Sequence, residues 1–193
     1  MKKFKLTSEF IVDISGVKLF RIKALIEFGN VKAGDLGGYI EKEENLSHMG
    51  NAWVSGNAQV SGDAQVFGDA RVSGNAWVSG DARVFGNARV FGNAQVFGDA
   101  RVFGNAWVSG DAWVSGNAQV SGDKDYAYAH GFGSCNRTTT FFRLKDGDVG
   151  VRCGCFYGTL AQFRDNVCET HGETKKAQEY LMLADLMDFR FKN

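Results

Sequence analysis

"GNAWVSGNAQVSGDAQVFGDARVS", residues Gly50 to Ser73, states almost the same six residues four times, and the pattern runs on to Ser121. Residues 50–121 divide into twelve consecutive hexapeptides of the form Gly-(Asn/Asp)-Ala-x-Val-(Ser/Phe). A period of six is too short for the helix pairs of α-solenoids and suits a parallel β-helix, in which each hexapeptide makes one short strand and one corner. Valine (Val54, Val60, Val66 and onward) then points inward, and the alanine two residues earlier faces the same way because side chains alternate along a strand. Gly followed by Asn or Asp supplies the corner, since these residues accept the positive φ of tight turns. The chain has no proline, so these pairs carry the turning.

The repeat resembles the left-handed β-helix of hexapeptide-repeat proteins, where an aliphatic residue recurs at every sixth position in company with a small one. That resemblance, not the period, implies the left hand. It also implies three hexapeptides per coil, hence four triangular coils stacked at roughly 4.8 Å. Residues eighteen apart then share a face. The first face stacks Trp53, Arg71, Arg89 and Trp107; the second Gln59, Trp77, Gln95 and Trp113; the third Gln65, Arg83, Arg101 and Gln119. The position after valine brings Phe67, Phe85 and Phe103 into register on the third side, whereas the other sides receive serine except at Phe91 and Phe97. The ladder has two readings: stabilising contacts between strands, worth roughly 0.2–1 kcal/mol per pair, or an apolar strip covered by a second subunit or a terminal segment. In the second reading Phe67, Phe85, Phe103, Arg83 and Arg101 form an interface, and the protein is a homo-oligomer.

The best-known hexapeptide-repeat proteins are acyltransferases, and others are zinc-dependent carbonic anhydrases. Both chemistries place histidine at the coil, as base or as metal ligand. The three histidines here, His48, His130 and His171, all lie outside 50–121, and no loop interrupts the coils to build a substrate site. No catalytic residue is assigned.

Residues 1–49 read as a β-rich cap with a hairpin turn at Ser15-Gly16, needed because a solenoid exposes its core and a strand edge at each end. With "KAGDLGGYI" and "NLS" leading into the repeats, this region resembles YdcK-like bacterial proteins and phage and prophage proteins built the same way. From residue 125 the period stops. "RTTTFFRLKDGDVGVRCGCF" suggests a hairpin turning at Asp146-Gly147. "TLAQFRDNVCETHG" suggests a helix with a capping box at Thr159 and Gln162 and a stop at Gly172. "TKKAQEYLMLADLMDFRF" suggests a second helix with Ala177, Leu181, Ala184 and Met187 inward. The expected architecture is mainly β: a cap (1–49), a β-helix of about four coils (50–124) and a small ββαα domain of α+β type (125–193). "GFGSCNRTTTFF", "VRCGCFYGTL" and "THG" resemble a small domain at the C-termini of phage-encoded proteins of unknown function, which implies phage or prophage origin.

Chemistry, if present, concentrates in this last part. Cys153 and Cys155, two apart on a predicted strand, share a face, and Cys168 and His171 share a helical side. Together they offer four ligands for a structural zinc; the alternatives are buried thiols beside a core histidine, or a thiolate–imidazole pair for covalent catalysis. Gly131, Gly133, Ser134, Arg137, Thr138, Thr139 and Arg152 have the residue types of a phosphate or nucleotide pocket, the competing reading being a polar hairpin with solvated arginines.

Charge narrows the partners. Lys+Arg and Asp+Glu are both 22, and the balance holds by region: 8 against 7 in 1–49, 4 against 5 in 50–121, 10 against 10 in 122–193. No region carries the basic excess that draws nucleic acid or an anionic membrane. The start lacks a signal-peptide apolar run, no stretch is long enough to span a bilayer, and Cys135, Cys153, Cys155 and Cys168 cluster as thiols do in a reducing compartment. The expectation is a non-enzymatic binding or assembly protein in the cytoplasm of a bacterial host, whose partner is a host-defence protein or a small phosphorylated ligand. An enzyme with its site in the C-terminal domain is the alternative.

Overall fold

Each alanine and valine of the repeat from Ala52 to Val120 is fully buried in the computed structural model, which describes residues 1–133 and 137–192. The chain begins with β1 (Phe4–Val12), β2 (Lys18–Ala24) and β3 (Leu36–Ile40), then a 3-10 turn at Glu43–Asn45. Twelve two-residue strands follow, from β4 (Trp53–Val54) to β15 (Gln119–Val120). After them come β16 (Tyr126–Ala129), β17 (Thr139–Arg143), β18 (Val149–Cys153), β19 (Phe156–Thr159), α1 (Leu160–His171) and α2 (Lys175–Phe191).

The strands pair in parallel at the predicted spacing: Arg71 lies between Trp53 and Arg89, Gln95 between Trp77 and Trp113, Arg101 between Arg83 and Gln119. The corner glycines from Gly50 to Gly116 all have positive φ. A Cβ on Gly74 (φ +70°) would lie 3.0 Å from both N and O of Gly92, so conformation and close approach both demand glycine there. The adjoining amides add ladders along the corners: Asn57 donates to Asn75, Asn75 to Asn93 and Asn93 to Asp111.

The twelve hexapeptides supply four levels, and the cap supplies most of a fifth. Tyr39 and Ile40 of β3 pair in parallel with Gln59 and Val60, and Leu46 bridges to Val66. The expectation of four coils is therefore corrected to about five turns. The extra turn escaped notice because residues 36–49 stack without the Gly-Asn-Ala-x-Val signature. From β3 the chain order reverses: β2 and β1 join antiparallel, so one solenoid sheet has seven strands.

Hydrogen bonds give the stack a direction. Outside the bonds between paired strand residues, the N–H groups of one coil donate to carbonyls of the next, as Gln59 to Ala76 and Ser61 to Val78, while the parallel register of the strands themselves returns bonds the other way. The first coil therefore presents carbonyls without a coil above them. Backbone N–H groups of Tyr39, Glu41 and Ser47 take Ala58, Val60 and Val66. Side chains take others: the Asn45 amide donates to Gly62 (3.0 Å) and Ala64 (2.9 Å), and Lys3 Nζ donates to Ala52 (2.8 Å) and Gly50 (3.4 Å). Both side chains are buried.

The last coil presents N–H groups. Asp123 accepts from Trp107 N, the Thr140 hydroxyl from Trp113 N (2.9 Å), and Asp125 from Ser121 N (2.9 Å). The C-terminal sheet, β16-β17-β18-β19, is an antiparallel meander laid across this end. Tyr126 and Phe142 point into the solenoid core, while Phe141, Val149 and Val151 point to a second core under α1 and α2. The predicted hairpin is β17 and β18, but the ββαα order becomes ββββαα. The "YAYA" of β16 alternates large residues toward the solenoid with alanines toward the helices, a period too short to stand out in sequence.

Both helices form where expected. Thr159 and Gln162 make the capping box and Gly172 ends α1, which buries Leu160, Phe163 and Val167. The second helix buries Ala177, Tyr180, Ala184, Met187 and Phe191, with Leu181 packing from the edge. Among the described residues no helix is long and apolar enough to cross a membrane.

Candidate functional site

Strand spacing brings the three phenylalanines of the third side into contact. Phe67 and Phe85 stack with centroids 4.9 Å apart and planes 1° apart; Phe85 and Phe103 follow at 5.2 Å and 7°. Each ring keeps part of its surface in solvent. Beside them Arg83 and Arg101 are exposed lateral partners, and neither makes an ion pair among the described residues. Two like charges side by side on adjacent strands are unfavourable by themselves. On the far edge Asp63, Asp81 and Asp99 occupy the same corner of successive coils, and Asp63 holds Lys42 at 2.6 Å. The third side thus carries an acidic, an arginine and an aromatic stripe.

The second side is aromatic in a different geometry. Phe97 stands edge-on between Trp77 (6.1 Å) and Trp113 (5.4 Å), and the Arg152 guanidinium caps Trp113 at 4.1 Å. Trp113 Nε1, Ser115 Oγ and Arg152 Nε are buried there without a partner among the described residues.

The cysteines and histidine proposed as zinc ligands do not converge. β18 ends at Cys153, and Gly154 (φ +56°) turns the chain, so strand alternation no longer places Cys155 beside it. Cys155 and Cys168 are exposed. Cys153 is half-buried, accepts a bond from the Thr139 hydroxyl (3.1 Å) and lies 3.8 Å from the Tyr180 hydroxyl; His171 stacks on the Tyr180 ring. Among the described residues no three His, Cys, Asp or Glu side chains are placed to hold a metal ion.

The residues proposed for a phosphate pocket are likewise dispersed. Thr139 pairs across the sheet with Cys153, and Thr140 with Arg152, so Thr139 and Arg152 occupy opposite faces of the sheet. Thr138 meets His130 Nδ1 at 3.0 Å, and Arg137 lies beside Gly154. The Gly133 N–H, a donor suited to phosphate, is taken by the Glu179 carboxylate at 2.9 Å. Ser134 lies outside the described residues.

Sequence reasoning sorted the first face correctly but assigned it nothing. Its groove exists because the cap loop at Phe28–Val31 closes on itself by a bridge and rises beside Arg71; that loop lies forty residues away in sequence and carries no periodic signal.

The stacked strands have a counterpart among known families. The repeat is similar to the YdcK beta solenoid repeat. The match covers residues 64–80, 82–96 and 94–110, all within the twelve hexapeptides. No curated protein matches the chain.

Proposed function

We propose that this chain is a non-enzymatic binding and assembly protein in which the solenoid is a rigid rod and its third side packs against a second copy. The observation that carries this reading is the ladder of Phe67, Phe85 and Phe103 beside Arg83 and Arg101, which make no ion pair among the described residues. Rings already stacked lose little conformational freedom on docking, and a second copy removes their remaining surface from water. Light scattering of the purified chain should give an oligomeric mass, and Phe85→Ser should lower it. An unchanged mass would overturn the assembly reading.

The C-terminal sheet and helices are the recognising end, and the protein acts in the cytoplasm of a bacterium carrying the phage or prophage that encodes it. The resemblance of its closing motifs to phage-encoded proteins supports that setting. There it sequesters a ligand or blocks a component of host defence. Phage lacking the gene should plate less well on defended hosts, with plating restored by supplying it; equal plating would remove the basis of this role.

A further inference from the structure

We propose that the first face of the solenoid binds a small nucleotide, with Arg71 and Arg89 holding its phosphates and Trp107 stacking on its base. The site is independent of the third side and of the C-terminal residues first considered for phosphate.

Arg71 and Arg89 are lateral partners on adjacent strands, and neither has an ion-pair partner among the described residues. Arg83 and Arg101 on the third side share that feature, so charge alone does not select the first face. Shape does. The first-face arginines line a groove of about 790 Å³, within the range of small-molecule sites. Asn30 of the cap loop forms one wall, and a Cβ added to neighbouring Gly29 would lie 3.0 Å from Arg71 Nη2. No carboxylate lines the groove among the described residues.

Its two ends differ in chemistry. Ser55 and Ser73 flank the Arg71 end with hydroxyls, while at the next level serine is replaced by Phe91, which meets Trp107 edge-on at 6.3 Å. Trp107 is 48% exposed, with the Arg89 guanidinium 5.0 Å from its ring centre. Arg89 therefore serves both ends. From Arg71 to Trp107 is two strand steps, about 10 Å, comparable with the reach from terminal phosphate to base in a nucleoside diphosphate. Arginine forks suit phosphate oxygens, and an indole face suits any base. Lys3 adds positive charge beneath this end, where Arg71 repels it and Asp69 attracts it. The neutral chain offers no longer cationic track, which favours a short ligand over a polynucleotide.

Titration of the full chain with ADP, followed by tryptophan fluorescence and calorimetry, tests the site. Saturable binding should appear, with inorganic phosphate and adenosine each weaker. Arg71→Gln and Arg89→Gln should each weaken ADP roughly tenfold or more, and Trp107→Leu roughly fivefold or more. Lys5→Gln, at an exposed position of β1, should bind as the parent does, and thermal melts establish that each variant is folded. An absence of saturable ADP binding overturns the proposal, as does binding that survives both first-face arginine substitutions. Inorganic phosphate equal to ADP would also overturn it, as would a single-stranded oligonucleotide that binds more tightly than ADP.

Discussion

At its N-terminal end the solenoid's corner and strand-flanking bonds leave backbone carbonyls and at its C-terminal end N–H groups, and the two caps answer with largely opposite chemistry. Donors close most of the first end, the Asn45 amide, the Lys3 ammonium and the backbone of β3, while the Glu41 carboxylate accepts from Gly62 N. Acceptors close the second: Asp123, Asp125 and the Thr140 hydroxyl, with the Tyr126 hydroxyl bonded to Ser109. The difference follows from the stack itself. Outside the strand pairs each coil of this stack donates toward one end, so its two termini differ in hydrogen-bond sense even though the net charge is zero. A cap must then match in hydrogen-bond sense as well as shape, because a buried unpaired backbone group costs about 1–3 kcal/mol.

The largest expected effect is at Asn45, which is fully buried and meets three backbone groups: it donates to Gly62 and Ala64 and accepts from Lys42 N. Asn45→Leu keeps the branched outline with bulkier methyl ends but leaves all three unpaired, and should lower stability by about 3–5 kcal/mol. Urea unfolding measures it. Asn45→Asp sharpens the test, since a carboxylate retains the acceptor and loses both donors. If the polarity argument is right, Asp should be no better than Leu.

Lys3 should give the N-terminal end a distinctive pH dependence. Burial first, and then the charge of Arg71, lowers its ammonium pKa from 10.5 to about 8, with Asp69 opposing. Between those values the unfolded chain holds the proton that the folded chain has released, so stability should rise with pH across the window, by at most about 3 kcal/mol. At the other end burial raises the Tyr126 phenol despite its bonds with Ser109. Above its ordinary value of 10.0 the unfolded chain loses that proton first, and stability should fall again. Urea midpoints through this range should rise and then turn over; Lys3→Met should remove the rise and leave the fall.

How much of this was legible in the sequence depends on whether a residue belongs to the period. Counting by eighteen placed every outward side chain of the repeat, including the phenylalanine ladder and the Arg71–Arg89 stack, because hydrogen-bonded coils cannot slip by less than a hexapeptide without exposing valine. The capping box at Thr159 and Gln162 was equally legible because its rule is local. Lys3 and Asn45 were not, since their partners are 49 and 19 residues away and nothing nearby marks them. The Cys153–Cys155 pair failed for another reason: strand alternation was extended one turn too far, past the positive φ of Gly154.

Thr140 allows a smaller test at the C-terminal end. Its hydroxyl is the acceptor for Trp113 N, and the side chain is fully buried. Thr140→Val preserves shape and removes the acceptor, so it should cost about 1–3 kcal/mol, less than Asn45→Leu because one backbone group is orphaned instead of three. Hydrogen exchange should localise the loss to the last coil, with the Trp113 amide exchanging faster and the first coil unchanged. Equal acceleration at both ends would break the comparison, because it would mean that the caps fail as one unit.

The smallest effect is the acid response of Asp125. Partial burial pushes its carboxyl up, but bonds from the Ser121 hydroxyl and N–H, the charge of Arg143 and the Gly122 backbone outweigh this and hold it below the ordinary 3.8. A lowered carboxylate pKa contributes stability that is present above the unfolded value and lost as pH falls through the folded one. Acid should therefore loosen the C-terminal end, as it should the N-terminal end, where hydrogen bonds also hold the Asp13, Glu43 and Asp63 carboxyls low. The rise in stability with alkali is the N-terminal end's, through Lys3. Asp125→Asn keeps an acceptor for Ser121 but cannot titrate, so its unfolding midpoint should fall less steeply with acid than the parent's. If the two curves ran parallel, the acid sensitivity would lie elsewhere, with Asp13, Glu43 and Asp63 of the N-terminal end the next to test.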